Sequence, residues 1–282
     1  MIEQEEKTNS LHLTLKQKPE VKKEKQYIKP LQSANVLFKF MDKIDYLKSL
    51  LMHMAILPRY YEEDIEYLEI NGLDKIAFPM SCFCDIHLNK LKYHIDKYGS
   101  YGIGLSKEWG INQGIQPIQY INANSNLRKD FSAIFNNAIS KDFEIDGIQE
   151  YNNYLLHDLF YMKPLEGEMP ISNSERERRN FHDEKEWRYI PDFEESSTEL
   201  PLVIKQTLMN PKSYNTHSQA IEQCPELWLK IKPKNIKHLI VNEEKERKEL
   251  IDFIVENQIG DTNEQYILFS KIMVFNELEE DW

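Results

Sequence analysis

The chain has 282 residues, 47 of them acidic and 35 basic, a formal net charge of -12, and three cysteines. The length suffices for one sizeable core. The acidic balance excludes a protein that binds nucleic acid over its whole surface, because such affinity comes mostly from neutralising phosphates; it allows nucleic acid only as a local target and suits a basic protein partner. The odd set Cys82, Cys84 and Cys224 argues against a disulfide framework. The acidic start MIEQEEKTNS has no apolar signal region, so the expected compartment is a reducing cytoplasm, with no membrane span.

Residues 1–30 are polar and of mixed charge and read as a flexible arm. Val36, Leu37, Phe38 and Phe40 predict a short strand. Tyr46 to Leu57 carries apolar residues at helical spacing, and Pro58 ends the helix. Ile76 to Ile86 is an apolar run of buried-strand type. Asn89 to Tyr98 predicts an amphipathic helix that stops at Gly99. Strands are expected over Tyr101 to Leu105 and Gln116 to Ile121, and helices over Leu127 to Ile139 and Tyr151 to Met162. Pro164 to Ser174 reads as a loop, Glu175 to Arg179 as a charged helix in solvent, and Glu186 to Ile190 as a strand. Residues 191–226, with several prolines, read as an irregular excursion. Beyond them come short strands at Leu227 to Ile231 and His238 to Val241. Asn242 is the expected cap of a helix over Glu243 to Glu256, and Ile267 to Phe275 the final buried strand. Interspersed strands and helices with irregular connections give an α+β fold, with residues 31–282 as a single domain.

Three segments carry a resemblance: ILPRYYEED (56–64), IAFPMSCFCDIHLNKLKYHIDKYGSYGIGLSKEWG (76–110) and EKEWRYI (184–190). In order and spacing they resemble the AbiGi family of abortive-infection systems, which act in bacterial phage defence and are often described as antitoxins. The resemblance runs over residues 36–190 and on to 237–256. It implies a protein partner encoded nearby, toxin or antitoxin, or a phage component. A second likeness concerns fold. A first strand, an apolar helix, a serine-bearing strand and a later acidic strand are laid out as in ADP-ribosyltransferases, including DarT-like toxins. This implies a central split sheet, mixed or antiparallel and flanked by helices, and NAD as substrate. The histidine or arginine that such enzymes carry on the first strand is absent from VLFKF.

The leading site candidate is EKEWR. On a strand, Glu184, Glu186 and Arg188 share one face and Lys185, Trp187 and Tyr189 the other. Two carboxylates and one guanidinium can form a pair and leave one acid free, its pKa raised by the like charge, to act as a base or stabilise a cation. The plainer reading is a structural ion pair. Arg59 could grip a phosphate or carboxylate, with Tyr60 and Tyr61 stacking on a base; equally, Arg59 could pair with Glu62, Glu63 or Asp64. Ser81 and Asp85 could bind ribose hydroxyls, and His94 shares a helix face with Tyr98. Cys82, Cys84 and His87 lack a fourth ligand at zinc spacing, so no metal is expected and the cysteines read as buried and inert. Under the transferase likeness, Glu186 would orient the ribose of NAD, with Arg59 and Ser81 in the pocket and Tyr101 or Trp109 stacking on the nicotinamide.

Overall fold

The computed structural model describes residues 27–139, 148–170, 176–193, 196 and 198–280. The predicted arm lies, up to residue 26, outside the described residues.

The first strand β1 (Val36–Met41) leads into helix α1 (Ile44–His53), which buries Leu47, Leu50 and Leu51, spaced to fall on one face. The helix stops one turn earlier than the proline predicts. Met54 takes a left-handed conformation and caps it with its own N–H, so Ala55–Ile56 can form a short strand, β2. Strands β3 (Arg59–Asp64) and β4 (Lys75–Cys84) pair antiparallel from Arg59 opposite Met80 to Asp64 opposite Lys75. Helix α2 (Lys92–Tyr98) ends at Gly99, whose φ of 104° suits glycine. There follow β5 (Tyr101–Ser106), α3 (Lys107–Asn112), β6 (Gln116–Pro117), β7 (Gln119–Ile121), α4 (Asn126–Ile139) and α5 (Ile148–Phe160). The strand expected at 116–121 is two strands, because Ile118 turns inward and its N–H bonds to the Glu186 carbonyl.

After β8 (Met162–Pro164), β9 (Glu166–Pro170) and β10 (Arg176–Asn180) form a hairpin. The run at 175–179 is therefore a strand from Arg176 on, not a solvated helix: Arg178 meets Glu166 across the hairpin at 2.9 Å instead of pairing along a helix face. Strand β11 is Glu186–Tyr189. The stretch 191–226 is more ordered than its prolines suggest. It holds α6 (Pro211–Ala220), and it buries Ile204 and Ile221, together with Leu227 just beyond it, against Tyr60 and Ala77, covering β3 and β4. The chain closes with β12 (Leu229–Lys230), β13 (Ile236–Val241), α7 (Glu244–Glu256), α8 (Thr262–Phe269), β14 (Ile272–Val274) and α9 (Phe275–Glu279). Glu243, not Asn242, caps α7, in a capping box with Glu246. Of the strand predicted at 267–275, Ile267, Leu268 and Phe269 are the last turn of α8, a helix whose start is fixed by the Asp261 cap; only Ile272–Val274 is strand.

The architecture is α+β. An eight-stranded mixed sheet runs β14-β13-β5-β1-β4-β11-β6, with β3 also on β4. Within this sheet, among the described residues, only β13 and β14 pair parallel; β7 and β8 form a separate parallel pair. Two large apolar cores flank it. One joins Leu37, Ile103 and Leu239 to α1, α7 and α8; the other joins Phe78 and Met80 to Phe131, Leu159 and Phe160 of α4 and α5. The feature that matters for function is a parting of strands. β1 follows β5 from Val36 to Met41 but meets β4 only where Phe38 lies opposite Cys84.

Candidate functional site

A cleft of about 330 Å³ opens where β1 leaves β4. Lys39 and Phe40 of β1, Tyr61, Glu62 and Glu63 of β3, Met80, Cys82 and Phe83 of β4, His94 and Tyr98 of α2, and Lys163, Glu184 and Glu186 line it. A second lobe of about 570 Å³ shares His94, Tyr98 and Glu184 with the first and is bounded by Lys90, Arg179 and Lys185.

The acidic–Trp–Arg segment supplies the floor, though not as one strand. Lys185 has a φ of 46°, so the extended backbone begins only at Glu186 and Glu184 belongs to a short helical turn, Phe181–Glu184. The period-2 argument thus fails for Glu184, which joins the cluster through Lys163: the ammonium lies 2.7 Å from Glu184 Oε2 and 2.9 Å from Glu186 Oε2. Arg188 is fully buried. Its Nε donates to Glu186 Oε1 at 2.6 Å, Nη1 to the Phe160 carbonyl at 2.7 Å and Nη2 to Glu63 Oε2 at 3.0 Å. The Tyr98 hydroxyl donates to Glu184 Oε1 at 2.6 Å. The Glu186 N–H donates to the Tyr120 hydroxyl at 2.7 Å.

These contacts reverse the expected titration of the acid. Burial opposes ionisation of Glu186, but the adjacent charges of Arg188 and Lys163 outweigh it and hold the carboxyl well below the usual range. Glu186 is therefore an ionised carboxylate with a cation on each oxygen, and not a free base. Lys163 and Arg188 are likewise buried yet held above their ordinary pKa by the acids around them. His94, tilted between Phe40 and Tyr98, has its pKa pushed down by burial to about 4 and stays neutral near pH 7. Burial pushes the Cys82 and Cys84 thiols up, which leaves no thiolate for catalysis or metal binding. Among the described residues, no three His, Cys, Asp or Glu side chains gather as a metal site.

The other predicted residues are spread through the molecule. Arg59 is exposed and donates to Asn215 Oδ1 at 3.2 Å; it pairs with none of the neighbouring acids. Tyr60 is buried beneath the 191–226 segment, its hydroxyl on the Pro201 carbonyl, so it is not free to stack on a ligand. Ser81 is 1% exposed, which removes it from any ribose. Asp85 forms a buried ion pair with Lys107 at 2.6 Å and lines the second lobe. Tyr101 bonds Glu246 at 2.7 Å on α7, and Trp109 packs on the first core; neither lines the cleft. Lys163 and Lys39 are cleft residues that the sequence reading missed. A lysine within the apolar run VLFKFM was the signal for Lys39; a lone lysine beside Pro164 gave none for Lys163.

A family model with the description "Putative abortive phage resistance protein AbiGi, antitoxin" matches residues 54–242. The chain is also similar to an abortive phage resistance protein AbiGi of Lactococcus lactis subsp. cremoris, 37% identical over 251 residues, which cover 81% of this chain and 100% of that relative. The chain belongs to the AbiGi family. No solved structure gives a significant match. The span matched by the AbiGi model holds β3, β4, α2 and β11, and with them Glu63, Lys163, Glu184, Glu186 and Arg188; Lys39 precedes it. Among the described residues no helix is long and apolar enough to cross a membrane.

Proposed function

We propose that the protein serves anti-phage defence as the antitoxin of an abortive-infection pair, neutralising a toxin encoded nearby by binding it rather than by turnover. The observation that carries this reading is the state of Glu186. Arg188 and Lys163 occupy its two oxygens, so the acid expected to lead catalysis is committed to holding β11, β3 and Lys163 together. The AbiGi description as an antitoxin supports the same conclusion, and the net charge of -12 suits a basic partner. The test is co-expression with the neighbouring gene product in a growth assay. The wild-type chain and a Glu184→Gln variant that melts like it should both relieve growth arrest and co-purify with the toxin. Growth arrest by this chain alone, lost in that variant, would overturn the proposal.

A second reading, an ADP-ribosyltransferase-like fold that uses NAD to modify a macromolecular target, is favoured by one observation: Glu184 and Glu186 face a cleft where a split sheet opens. Carboxylates there can accept hydrogen bonds from ribose hydroxyls and stabilise a developing cation. Release of nicotinamide from NAD by the purified chain, lost in Glu184→Gln, is the outcome that reading requires.

A further inference from the structure

Charge in the cleft is unevenly partnered. Every carboxylate lining it has a partner: Glu62 has Lys75 and Tyr214, Glu63 has Arg188, Glu184 has Lys163 and Tyr98, and Glu186 has Arg188 and Lys163. Lys163 is held by two of those acids. Lys39 is different. It is half-buried on β1, its ammonium lies 6.0 Å from the centre of the Phe83 ring, and it makes no hydrogen bond or ion pair with any described residue. Arg59 begins β3 opposite Met80, a cleft residue, and its only hydrogen bond among the described residues goes to a neutral amide, Asn215. Burial depresses the Lys39 pKa; the Arg59 charge adds to this, while Cys82 and Glu186 oppose it. A half-buried ammonium in direct contact with no carboxylate is stabilised when an anion comes to lie against it.

The walls say what kind of anion. Phe40 and Tyr61 offer flat ring faces in the same cleft as Lys39, and the shared residues His94 and Tyr98 lead into the second lobe. The carboxylates of Glu184 and Glu186, which line the cleft and keep unused lone pairs, suit hydroxyl donors. Anion, flat ring and vicinal hydroxyls together describe a nucleotide.

We propose that the opening between β1 and β3 is a nucleotide-binding site in which Lys39 and Arg59 take the phosphates of a nucleoside diphosphate moiety and the Phe40 and Tyr61 rings take its base. It shares the cleft of the NAD reading but needs neither the transfer chemistry nor the antitoxin role. ADP, which has no nicotinamide to transfer, tests the site apart from both.

The experiment is calorimetric titration of the full chain with ADP, adenosine and inorganic diphosphate, on the wild type and on Lys39→Met, Lys39→Arg and Arg59→Met, with thermal unfolding of each. ADP should saturate the wild type. Loss of one charge-assisted phosphate contact, in Lys39→Met or Arg59→Met, should weaken ADP by about tenfold or more at unchanged melting temperature, and Lys39→Arg should retain binding. Adenosine should bind at least about tenfold more weakly than ADP. If Lys39→Met does not fold, Arg59→Met and Lys39→Arg carry the test. No saturable ADP binding at millimolar concentration, or ADP binding unchanged in both charge-removing variants, would overturn the site. Diphosphate binding as tightly as ADP would overturn its assignment to a nucleotide.

Discussion

Arg188 lies two residues beyond Glu186 on β11, with its Nε 2.6 Å from Glu186 Oε1 and no part of its side chain exposed. The same guanidinium reaches Glu63 on β3 and the last carbonyl of α5, at Phe160, so one side chain ties three elements. Removing it leaves Glu63 without its cation and Glu186 with Lys163 alone. Arg188→Met should destabilise the protein by about 3–5 kcal/mol, as expected when one partner of a buried ion pair is removed. Arg188→Lys should recover little, because a point charge cannot serve three acceptors in fixed directions. Urea unfolding of the three proteins checks this; a loss below about 1 kcal/mol for Arg188→Met would place the cluster among surface pairs of small worth.

His94 gives the fold a defined acid sensitivity. Its folded pKa, about 4, lies below the ordinary 6.5 because burial disfavours the imidazolium; Glu186 pulls the other way, and Lys163 and Arg179 reinforce burial. The unfolded chain takes up a proton near pH 6.5 that the native state refuses until about pH 4, so stability falls as pH falls through that window. Glu186, whose folded pKa is depressed, contributes stability above its unfolded pKa and loses it only at lower pH, so the two effects separate. Wild type should be less stable to urea at pH 5 than at pH 7.5, and His94→Gln should show a smaller difference. Equal differences would mean that another group carries the pH dependence.

How much of this was legible depends on whether the signal was local. The buried strand expected at 76–86 is found at Lys75–Cys84, the helix stop falls at Gly99, and the strand expected at 186–190 is found at Glu186–Tyr189; these follow from apolar runs and glycine. The segment at 267–269 was misread because a short apolar run is ambiguous between strand and helix; the Asp261 cap six residues upstream decides it. Period-2 alternation put Glu184 beside Glu186 for a reason that does not hold, since the left-handed Lys185 breaks the strand, and Lys163 from the separate strand β8 restores the contact. Tyr60, Tyr101 and Trp109 are aromatic residues whose role is set by what folds over them, the 191–226 segment, α7 and the first core, and none of these is near in sequence. Lys39 enters the cleft only because β1 parts from β4, a property of sheet topology.

Gly99 ends α2 at a φ of 104°, and a Cβ there would run into the Met41 carbonyl and the Asp42 backbone, which have no side-chain freedom with which to yield. Gly99→Ala should therefore cost on the order of 1–3 kcal/mol, from left-handed strain together with displacement of the β1 end. Because β1 carries Lys39, any ligand titration that depends on Lys39 should weaken in parallel with stability. Gly114→Ala is the control: its φ of 78° gives the same strain, with nothing within 4 Å of the new Cβ. The difference between the two variants in urea unfolding measures the steric part, and equal losses would show that strain alone accounts for Gly99.

Lys107 and Asp85 form another buried ion pair, at 2.6 Å, with Lys107 also on the Ser33 hydroxyl and over the Trp187 ring. The pair links α3 to the end of β4. Asp85 Oδ1 has no hydrogen-bond partner among the described residues, so the carboxylate depends on Lys107 for its compensation. Lys107→Met should cost about 3–5 kcal/mol, because it leaves the acid buried and uncompensated. Asp85→Asn should cost less, since a neutral amide carries a smaller desolvation penalty. The decisive variant is the double substitution Lys107→Met/Asp85→Leu, which removes both charges and should be more stable than Lys107→Met alone. A double variant no better than the single would show that Lys107 acts through its packing on Trp187 and its bond to Ser33, and not through Asp85.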